Sequence, residues 1–328
     1  MKNIKYSLLE LAMVPDNKSH QEVFQNSVEI AQKAEELGYH RFWLAEHHNM
    51  ISIASSATVV LMGHIASTTN SIHVGSGGIM LPNHSPLIVA EQFGTLGQLY
   101  PKRIDLGLGR APGTDQVTAN AIRSDRMQAV HHFPNAIEEI QHYFENVSAS
   151  TKVRAPVAEG VDMPMYILGS STDSAHLAAK KGLPYVFASH FAPAQLHQAL
   201  AIYHQEFQPS RYLDKPYVIA GVNVIAAPTS EEAERLSTSM YRMMVGVLTR
   251  QPDYMHAPTE MTDDIRQLKK HPALQQMLKY TFVGNPEEVK SQTEQFIEET
   301  KVDELMITSY IYDQEKRLQS LELFSEMM

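Results

Sequence analysis

The chain has 328 residues with 27 basic and 37 acidic side chains, and its formal net charge of −10 opposes nucleic-acid binding, which needs a basic face. It contains no cysteine, which excludes disulfides, thiolate metal sites, iron–sulfur clusters and cysteine nucleophiles. No run of about 18 apolar residues predicts a membrane span and the N-terminus lacks the apolar run of a signal peptide, so we expect a soluble, cytoplasmic, globular protein.

Short apolar runs, typical of buried strands, alternate along the chain with longer runs of helical spacing. In chain order the predicted elements are strand 4–12, helix 19–37, strand 41–45, helix 54–69, strand 72–75, helix 86–99, strand 103–108, helical region 117–144, strand 165–168, helix 172–181, strand 185–188, helix 193–207, strand 217–226, helix 230–249, a helix opening at 286, strand 304–308 and helix 314–327.

Glycine and proline mark several of these boundaries. Gly38 follows the first predicted helix, where a glycine commonly ends a helix, and Pro134 predicts a break in the long helical region. Residues 146–163 show no periodicity and are predicted to be an excursion. Residues 251–280 carry three prolines and are too long for a plain connection. We interpret that segment as an active-site lid or a partly helical insertion.

Eight strand-then-helix units in succession predict an α/β protein with a (β/α)8 TIM barrel. The main competitor is a doubly wound sheet, which normally carries a glycine-rich dinucleotide turn after its first strand. Here residues 13–17 follow the first strand and contain no glycine. We therefore expect one barrel domain over residues 1–328, with the insertion 251–280 after the seventh strand.

Polar and titratable side chains recur directly after the predicted strands. The carboxyl ends of barrel strands form one rim, where active sites of this fold lie. The rim segments are Glu46-His47-His48, Ser76-Gly77-Gly78, Asn83-His84, Gly109-Arg110, Gly169-Ser170-Ser171, Ser189-His190 and Ser309-Tyr310. Turn residues explain the glycines but not the concentration of histidine, glutamate and arginine, so we interpret the rim as a functional site.

Glu46-His47-His48 is the first titratable group on this rim. Its spacing matches neither the His-Glu-x-x-His zinc helix nor another metal-ligand set, and neighbouring residues of an extended segment point to opposite sides. We therefore expect no metal. The preferred interpretation is one inward histidine that acts as an acid, a base or a hydrogen-bond donor, with Glu46 fixing its tautomer.

Two further rim segments suggest an anion. The glycines of segment 107–113 do not fit a dinucleotide fingerprint, because the third is one residue late and Pro112 lacks an amide donor. Arg110 is either an anion ligand or a partner in a structural ion pair. Segment 170–174 lies at a helix start, where its hydroxyls either cap the helix or bind an anion. Together they favour a phosphate, and Gly77-Gly78 would let a flat ring rest on backbone or allow an unusual peptide conformation.

Four blocks together resemble the bacterial-luciferase-like flavin monooxygenases, in particular the non-luminescent luciferase family oxidoreductases. The similarity extends from about Tyr6 to Phe324, and the order and spacing of the blocks make it specific. The blocks are Phe42-Trp43-Leu44-Ala45-Glu46-His47-His48, Val74-Gly75-Ser76-Gly77-Gly78-Ile79-Met80-Leu81-Pro82, Asp105-Leu106-Gly107-Leu108-Gly109-Arg110 and Val283-Gly284-Asn285-Pro286-Glu287.

The resemblance implies a barrel with reduced FMN at its C-terminal mouth. His47 would be the catalytic histidine, Gly77-Gly78 a non-prolyl cis peptide under the isoalloxazine ring, and Arg110, Ser171 and Ser174 the phosphate ligands. Ser76, Gly169, Ser170 and His190 are expected at the same cofactor site. Family members are commonly dimers through helices near the second and third strands, so a homodimer is expected.

The implied activity is monooxygenation of a small organic substrate, such as an aldehyde, by reduced FMN and O2 through a C4a-(hydro)peroxyflavin. Because no nucleotide fingerprint is present, a separate NAD(P)H:flavin reductase is expected to supply FMNH2. Ser170 stands where the luciferase subunit has an acid, and the luciferase's activity-linked cysteine is missing, which argues against luminescence. The alternatives are an F420-dependent oxidoreductase on the same scaffold, a non-catalytic flavin-binding protein and a metal-dependent barrel hydrolase.

Overall fold

The computed structural model describes residues 4–146, 148 and 150–328. The strands of this part of the chain are β1 Lys5–Glu10, β2 Arg41–Leu44, β3 His73–Ser76, β4 Ile79–Met80, β5 Ile104–Gly109, β6 Met165–Gly169, β7 Tyr185–Phe187, β8 Val218–Ala226, β9 Thr281–Gly284 and β10 Glu304–Thr308. The helices are α1 His20–Glu36, α2 Thr58–Thr68, α3 Pro86–Leu99, α4 Gln116–Ile122, α5 Arg126–His131, α6 Phe133–Tyr143, α7 Thr172–Lys181, α8 Leu196–Glu206, α9 Ser230–Thr249, α10 Asp263–Lys269, α11 Pro272–Met277, α12 Pro286–Thr300 and α13 Gln314–Met327.

Eight of these strands close into a parallel barrel, which confirms the predicted (β/α)8 fold. The ring runs β1, β2, β3, β5, β6, β7, β8 and β10, and β10 pairs with both β8 and β1. Successive residues face opposite sides of a strand. Leu8 accordingly packs outward in one apolar cluster with Ile30 of α1, whereas Leu9 and Trp43 pack inward with Met306. Because all strands are parallel, their carboxyl ends meet at one mouth.

Local signals set many helix boundaries as the sequence predicts. Ser19 and Glu22 form a reciprocal capping box at the start of α1, and α3, α7, α9 and α13 have the predicted bounds. The region 117–144 is three helices rather than one, and the last break falls at His132, two residues before Pro134 and so near it as predicted. The strands β4 and β9 were not predicted, and β9 pairs with the end of β8 outside the closed ring.

The insertion 251–280 is partly helical, as predicted, and contains α10 and α11. Its first part is joined to the loop after β1, because the Met255 amide donates to the Val14 carbonyl (3.0 Å) and the Asp16 amide donates to the Met255 carbonyl (2.9 Å). This loop follows the carboxyl end of β1, so the insertion lies beside the mouth. None of the described helices combines the length and apolarity needed to cross a membrane.

The opposite, N-terminal end of the barrel is closed by buried charges. The Arg41 guanidinium contacts Asp105 Oδ2 (2.7 Å) and Glu304 Oε1 (3.1 Å), and all three side chains are nearly inaccessible to solvent. Trp43 Nε1 also donates to Asp105 (3.0 Å), and the Tyr217 hydroxyl donates to Glu304 (2.6 Å). This end of the barrel is therefore a packed polar layer in which each charge has partners.

Candidate active site at the barrel mouth

The mouth brings together the loops that carry the predicted site residues. Glu46 and His47 follow β2, Gly77 and Gly78 follow β3, Arg110 follows β5, segment 169–174 joins β6 to α7, and His190 follows β7. Because the strands are parallel and adjacent, these loops meet at the same end of the barrel.

The Glu46 carboxylate is the centre of a buried network. It accepts from the Met80 amide (3.0 Å) and Asn83 Nδ2 (3.2 Å), and it contacts His48 Nε2 (2.9 Å) and His84 Nε2 (3.0 Å). Burial opposes its charged form, but the hydrogen bonds from His48 and His84 outweigh burial and lower the pKa of Glu46 to about 2. Among the described residues no three His, Asp or Glu side chains are arranged to hold a metal ion.

His47 does not contact the Glu46 carboxylate, so Glu46 does not fix the tautomer of this histidine, although it does contact His48. Glu46 turns toward His48 and His84 instead. His47 Nδ1 lies 3.3 Å from the Gly113 carbonyl. Burial lowers the pKa of His47, which favours the neutral ring. Since a carbonyl only accepts, Nδ1 carries the proton and Nε2 offers a lone pair.

Gly113 can hold His47 in this way because it is glycine. Its φ is +65°, and a Cβ there would lie 2.5 Å from the Glu46 carbonyl oxygen. A side chain would therefore push the loop after β5 away from the loop after β2. Gly113 thus brings the loops after β2 and β5 together.

His190 is a second buried imidazole at the mouth. Its ring lies where a side chain on Gly221 would be, since a Cβ there would meet Nδ1 at 2.3 Å. Asn223 Nδ2 donates to the His190 carbonyl (2.7 Å), and Nδ1 has no hydrogen-bond partner among the described residues. Burial, and then the neighbouring His47, lower the pKa of His190 to about 3. The site thus holds two imidazoles that favour the neutral state near pH 7.

Gly77 and Gly78 lie at the end of β3, and the peptide bond between them is cis, as the resemblance implies. Both positions are closely packed: a Cβ on Gly77 would lie 2.4 Å from Leu9 Cδ1, and one on Gly78 would lie 2.8 Å from the Gly107 carbonyl oxygen. Ser76 does not reach the mouth, because its buried hydroxyl donates to the Gly107 carbonyl (2.8 Å) and accepts from the Gly107 amide (2.9 Å).

The start of α7 and Arg110 form one polar side of the mouth. Arg110 is about half exposed and contacts Asp173 Oδ2 (3.1 Å), so the ion-pair alternative is realised without burying the guanidinium. Ser171 occupies the N-cap position without a side-chain capping bond. The Ser174 hydroxyl donates to the Ser171 carbonyl (2.6 Å) and packs against Gly169, so this hydroxyl is turned into the protein.

Arg126, at the start of α5, is a site residue that the sequence analysis missed. It is only 6% exposed. Its Nε donates to Asn83 Oδ1 (3.3 Å) and its Nη2 donates to the Arg110 carbonyl (3.2 Å). In the part of the chain that the structure describes, no carboxylate pairs with it, and burial lowers its pKa. A buried cation that only neutral groups contact is typical of a site for an anion.

Comparisons with known proteins agree on one family. A family model described as luciferase-like monooxygenase matches residues 7–304. The uncharacterized protein YvbT of Bacillus subtilis is 47% identical over 99% of this chain and 97% of its own length. A luciferase-like monooxygenase of Escherichia coli is 45% identical over 98% of this chain and 96% of its own. The N-acetyl-S-alkylcysteine monooxygenase of Bacillus subtilis is 37% identical over 71% of this chain and 70% of its own.

Solved structures share the architecture. Apo-MsnO8 superimposes with a TM-score of 0.90 at 31% identity and covers 99% of this chain and 98% of its own. The oxygenating constituent of 3,6-diketocamphane monooxygenase from Pseudomonas putida, in complex with FMN, gives 0.74 at 17% identity over 98% and 97%. An F420-dependent secondary alcohol dehydrogenase gives 0.72 at 15% identity over 99% and 98%. At such identities the last two show only that the fold is shared.

Proposed function

The chain belongs to the luciferase-like monooxygenases, and from that premise we propose that it is a flavin-dependent monooxygenase that binds reduced FMN at the barrel mouth. It would use O2 to oxygenate a small organic substrate, and a separate NAD(P)H:flavin reductase would supply FMNH2. The observation that carries the proposal is Arg126, a buried guanidinium at the mouth whose hydrogen-bond partners, within the residues that the structure describes, are all neutral. A phosphate would give it the negative partner that it lacks.

The polar side of the mouth fits the phosphate of FMN. Arg126 and the half-exposed Arg110 offer charged donors, and Ser171 offers a hydroxyl not used for capping. The amides at the start of α7 and the helix dipole favour the same anion. Because the Ser174 hydroxyl is engaged with the Ser171 carbonyl, Ser174 would contribute through its backbone amide.

We call Arg126, Arg110 and the start of α7 the phosphate grip. The ring system of the cofactor would lie between this grip and the side chains of His47 and His190. Gly77 and Gly78 would present backbone to one side of it, with Gly169 and Ser170 on the adjoining β6–α7 loop. When bound, reduced flavin would supply the activation of O2. F420 is the alternative cofactor, since the FMN and F420 proteins compared above share this fold.

His47 would hold or move the proton of the reaction. Its Nδ1 is directed at the Gly113 carbonyl, so Nε2 is the atom free to accept a proton from substrate or oxygen, or to return one. Neutral His190 would contact the same site and add no positive charge to it. Glu46 would keep its loop in place through the Met80 amide and the two other histidines.

Residues 251–280 would act as the lid that excludes water from the reaction. Two backbone hydrogen bonds join Met255 to the loop after β1, at the edge of the mouth. Met240, Met243 and Met244 of α9 pack in the same apolar cluster as Met255 and Met306. Methionine side chains adapt to neighbours of different shape, so this apolar cluster could accommodate movement of residues 251–280 without losing its packing.

A second copy of the chain would cover α2 and α3. Helix α2 contains no Asp, Glu, Lys or Arg and leaves Val60 71% exposed, while Leu99 of α3 is 63% exposed. Exposed apolar side chains on adjacent helices are typical of a subunit interface. Light scattering after gel filtration should give a dimer, and Val60→Glu should shift it to a monomer with unchanged FMN affinity.

Oxygen uptake by the purified protein tests the function. Reduced FMN is supplied with a panel of aldehydes and, because of the Bacillus relative, of S-alkyl cysteine derivatives. We expect one substrate class to yield an oxygenated product whose oxygen derives from 18O2. Reduced F420 is run in parallel. Product formed with F420 but not with FMN would replace the cofactor assignment, and flavin binding without any turnover would support the non-catalytic alternative. NADPH oxidation by the protein alone would contradict the need for a reductase.

A further inference from the structure

The Asn83 side chain uses its whole amide to join three loops of the mouth. Its Nδ2 donates to Glu46 Oε1 (3.2 Å) and to the Pro112 carbonyl (3.1 Å), and its Oδ1 accepts from Arg126 Nε (3.3 Å). Both donors face acceptors and the oxygen faces a donor. Rotating the amide by 180° would turn every one of these contacts into a repulsive one, so the network defines a single orientation.

A neutral acceptor has a specific consequence for Arg126. An arginine side chain loses much of its rotamer freedom when it is fixed, so holding it in place before a ligand arrives favours binding. A carboxylate would also hold the guanidinium but would cancel its charge. Asn83 orients the Nε edge and leaves the positive charge uncompensated, and Nη1 has no hydrogen-bond partner among the described residues.

The same amide connects the cation to the loop that carries His47. Glu46 lies next to His47 in sequence. Its carboxylate accepts one hydrogen bond from Asn83, and the Met80 amide, His48 and His84 contact the same carboxylate. The path from Arg126 to Glu46 is thus one side chain long. The anion side and the histidine side of the mouth are fixed relative to each other by Asn83.

We propose that Asn83 is a positioning residue that aims the Arg126 guanidinium at the phosphate of the flavin and keeps this grip in register with the Glu46–His47 loop. The inference rests on the proposed function, since it takes that flavin site as its object. It assigns to Asn83 a role in discriminating phosphorylated from unphosphorylated flavin.

The test compares FMN and riboflavin, which differ by the phosphate. Asn83→Asp keeps the shape of the side chain but puts a carboxylate against Arg126 and beside Glu46. We expect the Kd for FMN to rise about tenfold or more, as for the loss of a charge-assisted contact, while the Kd for riboflavin changes less than twofold. Asn49→Asp is the matched control. This substitution adds the same charge on a neighbouring loop, at a side chain that bonds to Thr118 and not to Arg126.

Asn83→Ala is the second variant, and it keeps the test valid if the aspartate disturbs folding, which thermal unfolding reports. Its FMN Kd should rise about fivefold, and this effect should vanish in an Arg126→Met background. Equal factors for FMN and riboflavin, or effects that simply add to those of Arg126→Met, would assign Asn83 a merely structural role and overturn the inference.

The same titrations separate this inference from the proposed function. If the unmodified protein binds FMN and riboflavin equally, no phosphate grip exists and both proposals fail. If it prefers FMN and the Asn83 variants keep that preference in full, only the role of Asn83 fails.

Discussion

The two ends of the barrel each bury an arginine, and the groups around these arginines differ. At the N-terminal end Arg41 lies between two carboxylates, 2.7 Å from Asp105 and 3.1 Å from Glu304. At the C-terminal mouth the hydrogen-bond partners of Arg126 among the described residues are the Asn83 amide oxygen and the Arg110 carbonyl. The first arrangement is complete within the chain and supports the fold. The second leaves a positive charge that no carboxylate of the described part of the chain neutralises.

Arg41→Met gives the largest expected effect and tests the structural end. It would leave Asp105 and Glu304 buried without their cation, and breaking such a pair from one side costs about 3–5 kcal/mol. Denaturant unfolding should show this loss, while FMN binding below the unfolding transition stays unchanged. Retained stability together with lost FMN binding would show that Arg41 belongs to the binding site and does not support the fold.

His47→Ala tests the chemistry at the mouth. Removing a general acid or base lowers a rate by about 100-fold or more, so product formation per bound flavin should fall by at least that factor. The FMN Kd should stay within about twofold, because the phosphate grip is elsewhere. Loss of FMN binding with full turnover of the remaining complex would show that His47 is a cofactor ligand instead.

Arg126→Met tests the functional end directly. We expect the FMN Kd to rise about 30-fold and the riboflavin Kd to change little. Stability should not fall, since a buried charge with only neutral partners is removed. Arg110→Ala should weaken FMN less, because Arg110 is half exposed and shares its charge with Asp173. A loss of stability comparable to that of Arg41→Met would make Arg126 a structural residue.

His190 makes the mouth sensitive to acid. Its pKa in the folded protein is lowered to about 3 from a usual value of 6.5. Between these two pH values the unfolded chain therefore binds a proton at this histidine more readily than the folded protein does. The contribution of neutral His190 to the free energy of unfolding is therefore fully present above about pH 6.5. It decreases by about 1.4 kcal/mol per pH unit as the pH falls toward 3. In His190→Gln the unfolding free energy should depend less steeply on pH over this window. An unchanged slope would mean that His190 is not a buried neutral group.

Fold and site were predictable from the sequence to different degrees. Helices such as α3 and α7 have the predicted bounds because proline and glycine at their ends act locally. The strand β9 was missed because its four residues are a strand only through pairing with β8. The break between α4 and α5 was also missed, where Arg123 reaches across to the His84 carbonyl (2.9 Å). These features depend on distant parts of the chain.

The site shows the same limit. Rim position could be inferred for Glu46, His47 and Arg110, because strand ends converge whatever the side chains do. Their partners could not be inferred: Glu46 bonds to His48 and His84 rather than to His47. Arg126 lies inside a segment of helical periodicity. Neither its burial nor its neutral surroundings in the described part of the chain leave a signal in the sequence.

The most direct test of the central claim is a spectral titration of the purified protein with FMN and riboflavin. A phosphate-gripping mouth predicts saturation at one FMN per chain, with riboflavin bound at least about tenfold more weakly. Equal affinity for the two flavins, or no change in flavin absorbance at all, would contradict the claim that Arg126 binds the phosphate of a flavin.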